Sequence, residues 1–184
     1  MELVAPNVEQ LPGYVDAVRR GFMSYRVLFG STENLLEMAD ENPQGVIDVL
    51  RDRSTDGLLY HSDGTTSPRI PALFRWMWDG EFAGTIDLRW QPDGTGKLPD
   101  HIPGHVGYGT VEWKRGRGYA TQALAQLLPL AAAEGLTSID LVTNVDNAAS
   151  QHIVETNGGV IVAEFTQSEG HGGGAAYLWR ISLS

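Results

Sequence analysis

Residues 104–135 read GHVGYGTVEWKRGRGYATQALAQLLPLAAAEG, and the hydrophobic period changes partway along them. Val106 to Val111 is a run of β-branched and aromatic residues, as in a strand, whereas Ala120, Leu124, Leu127, Leu128 and Ala131 recur at helical spacing. Between the two lies a basic turn, Lys114-Arg115-Gly116-Arg117-Gly118-Tyr119-Ala120. Its glycines permit a tight bend and close approach of a ligand to the backbone, and the helix that follows begins with free N–H groups and the positive end of its dipole. The turn is therefore either a pocket for a phosphate or pyrophosphate or an ordinary basic surface loop. It lacks the GxxxxGK[ST] of a P-loop, and where a dinucleotide fingerprint needs G-x-G-x-x-G it offers Gly116, Gly118 and then Thr121.

The 184 residues suffice for one α/β domain with a sizeable core, so a single domain over 1–184 is expected. Thirteen basic against 23 acidic residues give a net charge of -10, which disfavours a broad nucleic-acid surface and favours a cationic or amine-bearing substrate. In the glycine turn Lys114, Arg115 and Arg117 reverse that sign locally. The absence of cysteine excludes disulfides, thiolate nucleophiles and cysteine metal sites. MELVAPNVEQ resembles no secretory leader, and no run reaches the roughly 18 apolar residues of a membrane span, so a cytoplasmic protein without a membrane partner is expected.

Along the chain, Pro12 and Gly21 bracket a first helix, Ser31 or Thr32 caps a second through Leu35, Leu36, Met38 and Ala39, and Pro43 opens a third. Asp52 to Pro71 reads as a loop. Phe74 to Trp78 and Glu81 to Arg89 read as a hairpin around Asp79-Gly80, with Ala83, Thr85, Asp87 and Arg89 on one face of the second strand, either solvated or bordering a site. His101 and His105 sit in the proline-rich stretch 90–105, where Pro103 and Gly104 argue against a shared helix face, so no metal site is expected. Alternation places Val106, Tyr108, Thr110 and Glu112 on one side of the central strand and Gly107, Gly109, Val111 and Trp113 on the other. Strand glycines are expected where something passes close. Pro129 should kink or loosen the long helix and Gly135 should end it. Asn147 reads as the N-cap of a helix over Ala148 to Thr156, followed by strands from Val160 and through Tyr177, Trp179, Ile181 and Leu183. The glycine-rich 170–174 reads as a loop, since no helix follows it.

Arg115-x-x-Gly118-x-Ala120, after a strand and opening a helix, resembles the acyl-CoA-binding motif of the GCN5-related N-acetyltransferase (GNAT) family. The resemblance extends to Asn144-Val-Asp-Asn147-Ala-Ala-Ser150 and HIVETNGG. Gly84-Thr-Ile-Asp-Leu-Arg89 and Gly104-His-Val-Gly-Tyr108 resemble more narrowly a branch of small acetyltransferases. It runs roughly from Trp76 to Leu183, with an acyl-CoA-binding core at about 104–159. It implies an α/β GNAT-like fold, a central mixed, mostly antiparallel twisted sheet flanked by helices. The implied cofactor is acetyl-CoA. The backbone at Val111 would hold the pantetheine arm, and Arg115, Gly116, Arg117, Gly118, Tyr119 and Ala120 the pyrophosphate. Asn147 and Ser150 are its further cofactor contacts, and the N-terminal helices would wall the acceptor site.

The implied reaction is direct attack of a small-molecule or peptide amine on the thioester in a ternary complex. It needs amine deprotonation, stabilisation of an oxyanion and departure of a thiolate. Glu112, at the end of the central strand, is the first candidate base; Asp87 and His105 are rivals. An ion pair with Lys114 or Arg115 is the alternative role of Glu112. The family's usual tyrosine acid falls on Val154, so the thiolate leaves unaided, Ser150 supplies a hydroxyl, or the chain is a non-catalytic acyl-CoA-binding or sensing module. Family members are commonly monomers or dimers, which makes a homodimer the expected partnership.

Overall fold

The computed structural model describes residues 1–22, 28–60, 64–91, 96–99, 102–167 and 173–183. It is a mixed α/β fold with mostly antiparallel sheet, as the resemblance implied. The chain divides into two compact units, Met1–Asp87 with Tyr108–Tyr119, and Leu88–Gly107 with Ala120–Ser184.

The first unit holds β1 (Glu2–Val4) and three helices, α1 (Leu11–Arg19), α2 (Thr32–Glu41) and α3 (Pro43–Arg51). Local chemistry sets their starts: Pro12 lies in the first turn of α1, Ser31 accepts the Asn34 N–H at 3.1 Å, and Asn42 accepts the Gly45 N–H at 3.0 Å ahead of Pro43. The stretch 52–71 is not wholly loop. It carries a short antiparallel pair, β2 (Leu58–Tyr60) and β3 (Thr66–Pro68), and an Arg69–Asp52 ion pair of 2.8 Å ties its ends.

The expected hairpin is present as β4 (Ala72–Trp78) and β5 (Phe82–Arg89), with Gly80 at φ +100° in the turn. With β1 and β6 (Val106–Thr110) they form a sheet ordered β1-β4-β5-β6. Phe82, Ala83, Thr85 and Ile86 are all buried, so both faces of β5 are covered until Asp87. The α1 face packs on this sheet through Tyr14, stacked on Trp76 at 5.3 Å, while Phe82 meets Trp76 edge-on at 6.0 Å. Close approach explains Gly84 but not Gly109, where an added Cβ would make only ordinary contact. A Cβ on Gly84 would lie 2.2 Å from the Gly109 carbonyl, and one on Gly109 would lie 3.4 Å from the Phe22 ring.

The second unit holds α4 (Tyr119–Ala133) from Ala120 onward, α5 (Ala148–Thr156), and a three-stranded antiparallel sheet ordered β7-β9-β8, made of β7 (Ser138–Asn144), β8 (Val160–Thr166) and β9 (Ala175–Ser182). α4 runs on through Pro129 to Ala133, and Gly135, the expected stop, follows in the turn beyond it at φ +86°. Leu141 and Ile139 pair with Trp179 and Ile181, and all four are buried. His101 and, in the glycine-rich loop, Gly170, His171 and Gly172 lie outside the described residues.

Candidate functional site

The glycine turn grows out of β6 in three steps. Val111 is buried, donates its N–H to the Ala83 carbonyl at 3.0 Å and accepts the Lys114 N–H at 3.0 Å. Glu112–Lys114 then form a single 3-10 turn. Gly116 and Gly118 follow at φ +75° and +72°, the left-handed region where a Cβ costs energy, so both glycines are required by the backbone itself. Gly116 faces open space, since a Cβ there would meet nothing within 4 Å. Arg115 and Arg117 are exposed, and Arg115 Nε lies 3.4 Å from the Thr110 carbonyl. Tyr119 opens α4, whose first turn supplies orphan N–H groups. Open glycine backbone, exposed guanidinium groups and a helix start together fit the diphosphate of acetyl-CoA. Val111, whose backbone the resemblance assigns to the pantetheine arm, has both its N–H and its carbonyl bonded within the chain.

Lys114 also departs from expectation. It is 5% exposed, turned inward, with Nζ 2.5 Å from Asp79 Oδ1 and 3.2 Å from Glu81 Oε2. The other Asp79 oxygen accepts the Tyr119 hydroxyl. Bonds from Lys114, then from Tyr119, hold Asp79 at about 2, below its ordinary 3.8. Burial alone would push Lys114 down, but its bonds to Asp79 and Glu81 outweigh that and raise it. The local positive charge therefore comes from Arg115 and Arg117. Sequence reading missed Asp79: Asp-Gly is a turn signal, and no local spacing links it to a lysine 35 residues away.

The candidate bases lie on different elements. Glu112 is exposed in the 3-10 turn and has left the strand that was expected to end with it, while Lys114, one of the two partners foreseen for it beside Arg115, pairs with Asp79. Asp87, half-buried on β5, is four residues beyond Ala83, about 13 Å along the strand. His105 belongs to the second unit and is 2% exposed. Its Nδ1 accepts the Asp140 N–H at 3.0 Å, which assigns the proton to Nε2, a buried atom without a hydrogen-bond partner among the described residues; the backbone of Gly96 also acts on the ring. Burial pushes this imidazole below its ordinary value, against the pull of Asp140 and that backbone. The ring lines a cavity of about 620 Å³ with Asp140, Phe165, Leu178 and Arg180.

Asn147 caps α5 as expected, accepting the Ser150 N–H at 3.0 Å. Both side chains lie at the accessible start of the helix. Val154, where the family's tyrosine would stand, is fully buried, and a Cβ on Gly159 would lie 2.4 Å from it. Packing therefore holds this position, and it offers no hydroxyl. Among the described residues no group of three or more His, Asp or Glu could hold a metal, and no helix is long and apolar enough to cross a membrane.

Residues 40–160, more than half of the chain, match the family model described as an acetyltransferase (GNAT) domain. No curated protein matches in sequence. Solved structures match nearly end to end at low identity. Microcin C7 self immunity acetyltransferase MccE, in complex with acetyl-CoA and AMP, is 13% identical with a TM-score of 0.61, over 98% of this chain and 91% of that one. A mutant of spermidine N-acetyltransferase SpeG from Vibrio cholerae is 14% identical with a TM-score of 0.60, over 99% and 95%. RimL, a ribosomal L7/L12 alpha-N-protein acetyltransferase in complex with coenzyme A, is 16% identical with a TM-score of 0.60, over 98% and 93%. At these identities the likeness is one of fold.

Proposed function

The chain belongs to the GNAT family of acetyltransferases, and from that premise we propose that it transfers the acetyl group of acetyl-CoA directly to a positively charged amine acceptor bound beside it. The observation that carries this reading is the turn from Arg115 to Tyr119, with two left-handed glycines, two exposed arginines and a helix start in sequence order. Acetyl-CoA supplies an acetyl group activated as a thioester. The chain's own part is to hold its diphosphate at 115–120, with Asn147 and Ser150 as further contacts, and to take a proton from the amine.

Glu112 is the base this reading favours, since it is exposed and opens the 3-10 turn that leads into residues 115–120, whereas the acceptor nitrogen of His105 is occupied by the Asp140 amide. Asp87 is the alternative. An acidic chain of net charge -10 favours cationic acceptors, and spermidine and a protein N-terminus are the acceptors named for two structures of this fold. The buried Val154 favours a second reading, an acyl-CoA-binding module without turnover. A homodimer is part of the proposal. β8 is the outer strand of its sheet and exposes Val160 (59%) and Ile161 (50%), an apolar edge suited to pairing with the same strand of a second copy.

Calorimetric titration with acetyl-CoA, with free and desulfo-CoA as controls, tests the cofactor, and thiol release across a panel of polyamines and N-terminal peptides tests the reaction. Saturable binding with thiol release supports the enzyme; binding without release from any amine supports the module; no binding by folded protein overturns both. Glu112→Gln should lower turnover on the order of 10²-fold, and near-normal turnover would transfer the base role to Asp87.

A further inference from the structure

We propose that Asp79 is a positioning residue for the acetyl-CoA diphosphate, holding the Arg115–Gly118 turn in its binding shape from behind without touching the ligand. The inference rests on the reading of residues 115–120 as the cofactor cradle.

Asp79 sits in the β4–β5 turn, fixed by its own N–H to the Glu81 carbonyl at 3.1 Å and by Gly80 at φ +100°. From that rigid corner its two oxygens reach two points five residues apart in sequence. Oδ1 takes Lys114, the last residue before the turn, and Oδ2 takes the hydroxyl of Tyr119, the first residue after it. The four residues between, Arg115 to Gly118, are exposed and include both left-handed glycines. Glycine-rich backbone of this kind has the most conformational freedom to lose when a ligand orders it. A carboxylate that pins both ends removes much of that freedom before binding. The opposite side of the 3-10 turn is fastened as well, since the Arg20 guanidinium lies 3.3 Å from the Trp113 ring centroid.

The electrostatics are consistent with a supporting role rather than a contact. A bare carboxylate behind an anion site would repel the ligand. Lys114 offsets its charge in place while also pairing with the exposed Glu81, and Arg115 and Arg117 stay exposed. The buried lysine of the basic turn is thus there for the aspartate, and the aspartate is there for the loop.

The test is the affinity of wild type, Asp79→Asn and Tyr119→Phe for acetyl-CoA by calorimetry, with circular dichroism as the check on folding and ³¹P NMR of the bound diphosphate as the readout of position. In folded Asp79→Asn, Kd should rise about tenfold, the factor that one lost charge-assisted hydrogen bond corresponds to, and the bound ³¹P resonances should move. Tyr119→Phe removes only the hydroxyl, so it reports on the same strut even where Asp79→Asn fails to fold, and it should weaken binding less in the Asp79→Asn background than in wild type. Kd within twofold of wild type in a folded variant, or weaker binding with unmoved ³¹P resonances, overturns the positioning role while leaving the cofactor assignment intact. Wild-type protein that binds no acetyl-CoA overturns the cofactor assignment and this inference with it.

Discussion

Asp79 and the glycines around it show how much single residues decide in this chain. Because the folded value of Asp79 is depressed, its contribution to stability is fully present above pH about 3.8 and is lost as pH falls through about 2. Wild-type protein should therefore lose stability between about pH 4 and pH 2 in a step that Asp79→Asn lacks, measured by denaturant unfolding across that range. At neutral pH the same variant should be less stable by about 1–3 kcal/mol. Parallel pH dependences for the two proteins would mean that the Lys114 and Tyr119 bonds to Asp79 do not persist in solution. Gly84 and Gly116 make a second comparison. A Cβ at Gly84 would strike the Gly109 carbonyl at 2.2 Å, a backbone atom that cannot rotate away, whereas Gly116 has nothing within 4 Å. Gly84→Ala should cost at least the ~3 kcal/mol upper end of overpacking, and Gly116→Ala only the ~1–2 kcal/mol of a left-handed alanine. Thermal unfolding that ranks them the other way would contradict the β5–β6 contact. Neither difference is legible locally, because a glycine written in a strand does not say which backbone passes it.

At the scale of elements, the signals that succeeded were caps, turns and periods. Ser31 and Asn147 each accept an N–H at the start of a helix, as expected, and Asn42, which the sequence reading passed over for Pro43, does the same. For α5 this separates two roles that coexist at Asn147. Asn147→Ala should cost about 1 kcal/mol, a fall of roughly 2–4 °C in melting temperature, and Asn147→Ser should recover most of it. If Asn147 also meets the cofactor, serine restores stability but not acetyl-CoA affinity, and calorimetry on the two variants reads the difference. The elements that sequence missed are the short β2–β3 pair and the 3-10 turn at Glu112–Lys114. Each is a single pairing or a single turn, too short to carry a hydrophobic period, and alternation carried past Thr110 placed Glu112 on a strand it does not occupy.

For the whole molecule, the proposed dimer turns on β8. Ile161→Lys places a charge on its exposed apolar edge at a site that contributes little to the fold, so sedimentation should show a shift from dimer to monomer with a melting temperature changed by no more than about 2 °C. An identical mass for both proteins, monomeric or dimeric, would exclude this edge as the interface. What the sequence determined by itself is the class of fold, the order of most elements, and the strand–glycine turn–helix motif that marks the family, because periodicity, capping and left-handed glycine are local properties written within a few residues. Only the tertiary structure decided which charges of the basic turn stay exposed, that Lys114 is answered by Asp79 from a hairpin 35 residues earlier, and that Val154 and the Val111 N–H are already committed to the fold. Burial and ion pairing depend on which distant segments meet, and that information is distributed over the chain rather than carried by any one stretch of it.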